Sequence, residues 1–243
     1  MKIVFTEIEN WEKDYLKNKL KEFEVQFFEK PISELNLGEI SHCEILSPFI
    51  YSQITKEILD KLPNLKLIAT RSVGFDHIDI GECQKQGIPV SNVPYYGENT
   101  VAEHTFALIL ALSRKLPESF ERTKKGNFSL EGLRGTDLKG KTLGVVGIGH
   151  IGKHVIRIAK GFEMNVIAFD PKSDLTLEKE LNFRYVDLEY LLKNSDIITL
   201  HCPYNKKTHH LINKENIKLI KRGAYLINTA RGGVVETEAL GWV

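Results

Sequence analysis

The sequence predicts an α/β protein built from two open parallel sheets. Short apolar runs alternate with helical patterns from the N-terminus to Val90, as parallel strands joined by crossover helices require. A stretch punctuated by Pro94 and Gly97 interrupts the alternation, which resumes at Thr142. At the start of the second half, Gly147-Ile148-Gly149-His150-Ile151-Gly152 lies between an apolar run and a helical pattern.

In the first half, Lys2–Phe5, Phe23–Phe28, Cys43–Leu46, Leu65–Ala69 and Pro89–Val90 read as strands. Trp11–Lys21, Ile54–Leu62 and Ile78–Gln86 read as the intervening helices. This alternation predicts a flavodoxin-like open sheet over residues 1–98. Thr100-Val101-Ala102-Glu103 then reads as a capping box that opens a helix running toward Leu116. Residues Phe106–Leu112 are apolar on every side, so this helix is expected to be buried between domains or between subunits. The loop Lys125–Lys139 leads into the first strand of a second domain, expected over residues 99–243.

In that domain Thr142–Ile148 reads as a buried parallel strand. His150–Lys160 reads as a helix with Ile151, Val155, Ile158 and Ala159 on one face. Of the G-x-G-x-x-G between them, Gly147 permits the tight turn, Gly149 lets a pyrophosphate approach the backbone, and Gly152 lets helix and strand pack closely. The helix start offers free N–H groups and a positive dipole end to phosphates. The next strand, Asn165–Asp170, ends in a carboxylate eighteen residues after Gly152, where an acid accepts hydrogen bonds from an adenosine ribose. That acid disfavours a 2′-phosphate. Strand, turn, helix and acid together predict a Rossmann domain that binds NAD in preference to NADP.

Leu188–Lys193 and Lys214–Ile220 read as helices, Asp196–His201 and Ala224–Thr229 as strands, and a further helix is expected from Glu236. In a nucleotide sheet of order 3-2-1-4-5-6, Ala224–Thr229 takes position five. Ligands of open α/β sheets bind at the carboxyl ends of strands, which puts three segments forward. They are His201-Cys202-Pro203, Asn228–Gly233 and, in the first domain, Arg71–Asp76. Arg231, followed by Gly232 and Gly233, has an open geometry, and its planar guanidinium can grip a carboxylate through two hydrogen bonds.

Composition narrows the partners. With 33 basic and 32 acidic residues the formal charge is +1, which gives no electrostatic case for nucleic acid or an anionic membrane. The apolar stretch Phe106–Leu112 is too short to span a bilayer, and Glu7, Glu9, Glu12 and Asp14 exclude a signal peptide at the N-terminus. Cys43, Cys83 and Cys202 are too scattered for a disulfide framework or a zinc site, so no metal is expected. A reducing cytoplasm is the expected location.

Several blocks resemble the NAD-dependent D-isomer-specific 2-hydroxyacid dehydrogenases. They are Leu65–Asp79, Asn99–His104, Gly140–Leu143 leading into the glycine motif, His201-Cys202-Pro203 with Thr208, and Asn228–Gly232. The resemblance implies hydride transfer between nicotinamide C4 and C2 of a 2-oxo or 2-hydroxy acid. It implies that Arg231 binds the substrate carboxylate and polarises the carbonyl, and that the Val73 and Gly74 N–H groups hold the carboxylate's other side. It further implies cofactor contacts at Gly147, Gly149, His150, Ile151, Gly152, Asp170, His201, Cys202, Pro203, Thr208, Thr229, Ala230 and Arg231, and a homodimer when the chain is complete, whereas the chain alone is expected to aggregate or self-associate. The Arg71–Asp79 block with Tyr95 and Tyr96 resembles enzymes of D-lactate and similar small acids, while glyoxylate, hydroxypyruvate, branched 2-oxo acids and phosphite stay open.

In that family a glutamate and an acid–base histidine lie downstream of the arginine. Only Glu236 and Glu238, and no histidine, follow Arg231 here, so a C-terminally truncated Rossmann domain with low turnover is expected. Gly241-Trp242-Val243 reads as the product of a frameshift or premature stop. His42, His77, His104, His209 and His210 read as surface or locally bonded residues, His154 lies on the helix after the glycine turn, and His201 is the first suspect for a substitute acid–base. Two alternatives stand beside the dehydrogenase: a catalytically silent NAD-binding or partner-binding protein, and a truncated gene product without independent function.

Overall fold

The computed structural model describes residues 1–242; Val243, at the end of the terminal stretch singled out above, lies outside them. Met1–Tyr96 form one compact unit, and a second begins at Gly97.

The first unit holds the strands β1 (Lys2–Phe5), β2 (Glu24–Phe27), β3 (Ile45–Ser47), β4 (Leu67–Ala69) and β5 (Val90–Ser91). All neighbours are parallel and the order is β2-β1-β3-β4-β5, the flavodoxin arrangement. Val4, Leu46 and Ile68 from the central strands pack with Ile54, Leu59, Leu62, Ile78 and Cys83 in one core. Ile3, Phe5 and Ile8 pack with Leu16 of the helix α1 (Asn10–Lys19) in another. The helix expected over Ile54–Leu62 is shorter: α2 covers only Lys56–Leu59. Ile54 instead forms a parallel bridge with Ile78, donating from N to His77 O at 2.8 Å, and Pro63 disfavours helical backbone at the residue before it. The helix α3 spans Ile80–Lys85, capped by Asp79 through Glu82 N.

The second unit opens with α4 (Glu98–Ser113). It starts two residues before the expected capping box, with Gly97 as an N-cap that offers no side chain, so Thr100 lies inside the helix. Glu98 in the first turn supplies negative charge to the helix's positive end. Ala102, Phe106 and Ile109 are buried in the unit's own core, and Phe106 stacks on Phe162 at 5.4 Å. Leu108 and Leu112 are exposed, so the apolar helix buries one face in this unit and not its whole circumference. The chain stops being helical at Ser113, takes a left-handed backbone at Lys115 (φ 54°), and starts a second helix, α5 (Leu116–Lys124), with Pro117 in its first turn.

The sheet contains β6 (Thr142–Val146), β7 (Asn165–Phe169), β8 (Arg184–Tyr185), β9 (Ile197–Leu200) and β10 (Tyr225–Asn228). The helices α6 (His150–Gly161), α7 (Leu175–Leu181) and α8 (Leu188–Asn194) connect them. The order β10-β9-β6-β7-β8, parallel throughout, is the nucleotide-sheet order with β10 in position five and at an edge. The helix expected over Lys214–Ile220 shrinks to a 3-10 turn at Ile217–Leu219. There Asn213 Oδ1 accepts from Glu215 N and Asn216 N as an N-cap does, and the segment closes with Leu219 N to Asn216 O at 3.0 Å and Ile220 N to Ile217 O at 3.1 Å, the bonds of a 3-10 turn. The helix expected from Glu236 is likewise a 3-10 segment, Thr237–Trp242.

Candidate functional site

The carboxyl ends of β6, β7, β9 and β10 carry the residues the sequence singled out in the second unit. β6 ends at Val146, and the chain turns at Gly147 with φ 91°, a backbone that favours glycine. A Cβ on Gly147 would lie 2.7 Å from Cys202 N and 2.8 Å from the His201 carbonyl carbon. A Cβ on Gly152 would collide with the Gly147 carbonyl oxygen. At Gly149, the N-cap of α6, nothing lies within 4 Å of a Cβ position. Two glycines thus close the turn from inside, and the third leaves its outer face clear at a helix N-terminus.

Around this turn, His150 is exposed and its Nδ1 lies 3.2 Å from Glu98 Oε1, while Ile151 packs against the core. Asp170 follows β7. Its Oδ2 accepts from Ile148 N at 2.8 Å and its Oδ1 from Lys172 N at 2.9 Å. Each oxygen keeps a second lone pair for an outside donor. The acid predicted for ribose is therefore tied to the glycine turn by one hydrogen bond.

The β9 end is fastened to both neighbours. His201 N donates to Val146 O at 2.7 Å, and its ring bonds Thr199 Oγ1 through Nε2 at 2.9 Å and Thr229 Oγ1 through Nδ1 at 3.5 Å. Burial pushes the imidazole down to about 4, so it is neutral near pH 7. Both ring nitrogens of the residue the sequence suspects first as acid–base are thus engaged within the fold. Cys202 is buried, and burial raises its thiol. Pro203 O accepts from Thr208 Oγ1 at 2.6 Å, and that hydroxyl accepts from Asn205 N at 2.8 Å, which fixes the loop after β9.

Beyond β10, Asn228 Oδ1 accepts from Ala230 N at 3.0 Å and its Nδ2 donates to Arg231 O at 2.9 Å. Arg231 is exposed, with Nη1 donating to Ala230 O at 3.0 Å. The following turn is held from the Thr208–Ile212 segment, where His210 N donates to Gly233 O at 2.9 Å and Ile212 N to Val234 O at 3.1 Å. The Tyr204 ring lies against Gly233, 2.6 Å from where its Cβ would be, and Tyr204 Oη meets His209 Nδ1 at 3.0 Å.

In the first unit, Arg71 turns inward. Its Nη1 donates to Ser47 O at 2.6 Å, its Nη2 to Thr6 O and Glu7 O at 3.0 Å each, and its Nε lies 3.5 Å from Glu12 Oε1. Ser72 Oγ donates to Gly74 O at 2.7 Å, and Asn92 Nδ2 to Val73 O at 2.7 Å. The loop's carbonyls are thereby taken, while the Val73 and Gly74 N–H groups bond to none of the described residues. Such paired main-chain donors suit an anion.

Sequence reasoning missed Thr105, Thr199, Tyr204 and Glu98 as partners of the site. The i, i+2 spacing of Thr199 and His201 on one strand was a usable signal. Nothing local marks Thr105, which meets Thr229 across 124 residues.

The residues of the second unit fit a dinucleotide: an open glycine face at a helix N-terminus, a closely packed turn behind it, and a carboxylate beside it. Residues 106–241 match the family model described as D-isomer specific 2-hydroxyacid dehydrogenase, NAD binding domain. Among curated proteins, a 2-hydroxyacid dehydrogenase homolog of Haemophilus influenzae is 38% identical over 243 residues, covering 98% of this chain and 73% of its own length. The D-lactate dehydrogenase of Escherichia coli is 36% identical over 243 residues, covering 98% and 74%. Among solved structures, the D-lactate dehydrogenase from Aquifex aeolicus complexed with NAD and lactic acid superposes with a TM-score of 0.92 at 44% identity, covering 98% of this chain and 72% of that one.

Proposed function

Because the chain belongs to the D-isomer specific 2-hydroxyacid dehydrogenase family, whose NAD-binding domain it carries, we propose that it acts on pyruvate and D-lactate. The observation that carries this reading is Arg231 at the carboxyl end of β10, on a turn fastened to the glycine-turn side of the sheet through His201. The relative in complex with NAD and lactic acid supports the choice of substrate. When bound, NAD takes up or supplies the hydride at nicotinamide C4.

The chain's own residues do the rest. Gly149, with His150 and Ile151 at the start of α6, presents main-chain donors to the pyrophosphate, while Gly147, whose N–H is given to Phe169 O, and Gly152 close the turn behind it. Asp170 accepts from the adenosine ribose and repels a 2′-phosphate. Cys202, Pro203 and Thr208 shape the β9 side of the cofactor pocket, and Thr229 and Ala230 the β10 side. Arg231 pairs with the substrate carboxylate and, by placing positive charge near C2, polarises the carbonyl for hydride attack. In the first unit, the Val73 and Gly74 N–H groups suit the same carboxylate chemistry. The alkoxide oxygen left by hydride addition takes its proton from solvent, and in the reverse direction the hydroxyl gives its proton to solvent.

Binding tests this reading directly. NADH should bind with a fluorescence change, and oxamate, which matches pyruvate in shape and charge, should tighten its retention. Arg231→Ala should keep NADH affinity and lose the oxamate effect, and Arg231→Lys should recover little of it, since an ammonium cannot form the two-pronged contact. Unchanged oxamate binding in Arg231→Ala would refute the assignment.

The reading includes a homodimer formed through the second unit. α5 buries none of its residues, and Phe120, Phe128 and Leu130 stand 61%, 78% and 83% exposed on α5 and the loop that follows it. Arg122 Nη1 ties that loop to α5 by donating to Ser129 O and Glu131 O. Exposed apolar groups gathered in one region mark an association surface. Sedimentation should show a dimer that Phe128→Asp with Leu130→Asp converts to monomer.

A further inference from the structure

His201 sits in an ordered series of side-chain hydrogen bonds that reaches from β9 to α4. Thr105 Oγ1 donates to Val101 O at 2.8 Å, so its one proton is used and it can only accept from Thr229 Oγ1, 3.0 Å away. Thr229 then donates to Thr105 and accepts from His201 Nδ1 at 3.5 Å. A neutral imidazole has one N–H, so Nε2 must accept, and the donor to it is Thr199 Oγ1 at 2.9 Å. Every proton in the series runs one way: Thr199 to His201, His201 to Thr229, Thr229 to Thr105, Thr105 to the α4 backbone. Thr105 and Thr199 are buried, and no charged group contributes to the neutral state of the ring, which burial alone sets.

We propose that His201 is a positioning residue: locked as the Nδ1–H tautomer in this one-way series, it fixes the Thr229 side chain and so the turn that presents Ala230 and Arg231. The proposal rests on the reading of that turn as cofactor- and substrate-binding, but the tautomer itself does not. The backbone of His201 lies against the glycine turn, where a Cβ on Gly147 would meet its carbonyl. One residue therefore sets the spacing between the two turns at the sheet's carboxyl edge. A histidine suits this role because a neutral imidazole carries a donor and an acceptor on opposite sides of a rigid ring.

The test joins a spectrum to an affinity. Long-range proton–nitrogen NMR of the histidine-labelled full chain, with His201 assigned by comparison with His201→Asn, should show protonated Nδ1 and bare Nε2 at neutral pH. Thr105→Val keeps the shape of a side chain whose hydrogen bonds go to Val101 O and Thr229 Oγ1, and removes the acceptor at the end of the series. It should scramble the tautomer signal and weaken NADH binding about tenfold, the effect of one unsatisfied buried hydroxyl. Thr105→Ser should retain both the tautomer signal and the affinity. An Nε2–H tautomer, a charged ring at neutral pH, or a Thr105→Val chain unchanged in both readouts would overturn the proposal. If the unaltered chain binds no NADH, the cofactor reading fails, while the spectrum alone still decides whether the series exists.

Discussion

The Gly147–Gly152 turn and the Arg231–Gly233 turn both depend on glycine packed against a neighbour, yet what they pack against differs in kind. At Gly152 the obstructing atom is the carbonyl oxygen of Gly147, part of the backbone of the same turn. At Gly233 it is the ring of Tyr204, an exposed side chain that can rotate away. The first turn is closed by main chain and has one conformation that works. The second is bridged by the main-chain bond from His210 N to Gly233 O, but its packing comes from the Tyr204 ring and its remaining ties from the Asn228 and His201 side chains, which substitution can replace. On the proposed reading, a rigid seat suits a cofactor's phosphates and an adjustable mount suits an arginine that meets a substrate.

The largest effect should come from Gly152→Val. It forces the backbone apart, so NADH binding should vanish and stability fall by about 1–3 kcal/mol or more. Denaturant unfolding and a fluorescence titration would read both, and a stable variant that still binds NADH would erase the contrast between the turns.

Acid should act next, through the series that holds the second turn. The His201 ring has a folded value of about 4 against 6.5 for an unperturbed histidine, so between those values the unfolded chain binds the extra proton. Its contribution is intact above about pH 6.5 and is lost as pH falls toward 4, by up to ~3 kcal/mol. Urea midpoints measured across that range should slope upward with pH, and His201→Asn should flatten the slope. An unaltered slope in the variant would assign the effect to other groups.

Asp170→Ser removes the carboxylate that Ile148 N and Lys172 N donate to, so it should cost about 1 kcal/mol of stability as well as change what the first turn selects. The preference for NAD over NADP should narrow by about tenfold as the repelling charge is removed. Equal affinities before mutation would sink the assignment of Asp170. The smallest effect is expected at Gly233→Ala, about 1 kcal/mol or less, because Tyr204 can yield. Adding Tyr204→Ala should remove even that, whereas no side-chain truncation should rescue Gly152→Val.

The same contrast explains what could be read from sequence. The glycine turn was legible because a backbone constraint leaves a local mark: only glycine is tolerated, at fixed spacing, between an apolar strand and a helix. The central strands β1, β6, β7 and β9 are legible as well, since each buries a run of apolar residues. β8 escaped notice because it has only two residues, Arg184 and Tyr185. α7 was overlooked although Asp174 caps it through Thr176 N and Leu177 N, a signal present in the sequence. Thr100 offers an attractive cap that the chain does not use, so the sequence places the start of α4 later than Glu98. The supports of the second turn were invisible because they join residues distant in sequence: Thr229 to Thr105, and Gly233 to Tyr204.

The inward-facing Arg71 leaves the loop after β4 in an unusual genetic position. Its guanidinium is tied to Ser47, Thr6, Glu7 and Glu12 and helps to hold the fold of the first unit. What that loop can offer an anion is then main chain, the N–H groups of Val73 and Gly74. A donor of this sort belongs to no codon. Any substitution at Val73 except proline can alter the shape of the loop over generations without removing its N–H, so if that donor binds the substrate carboxylate as proposed, drift here tunes which acid fits while the grip persists.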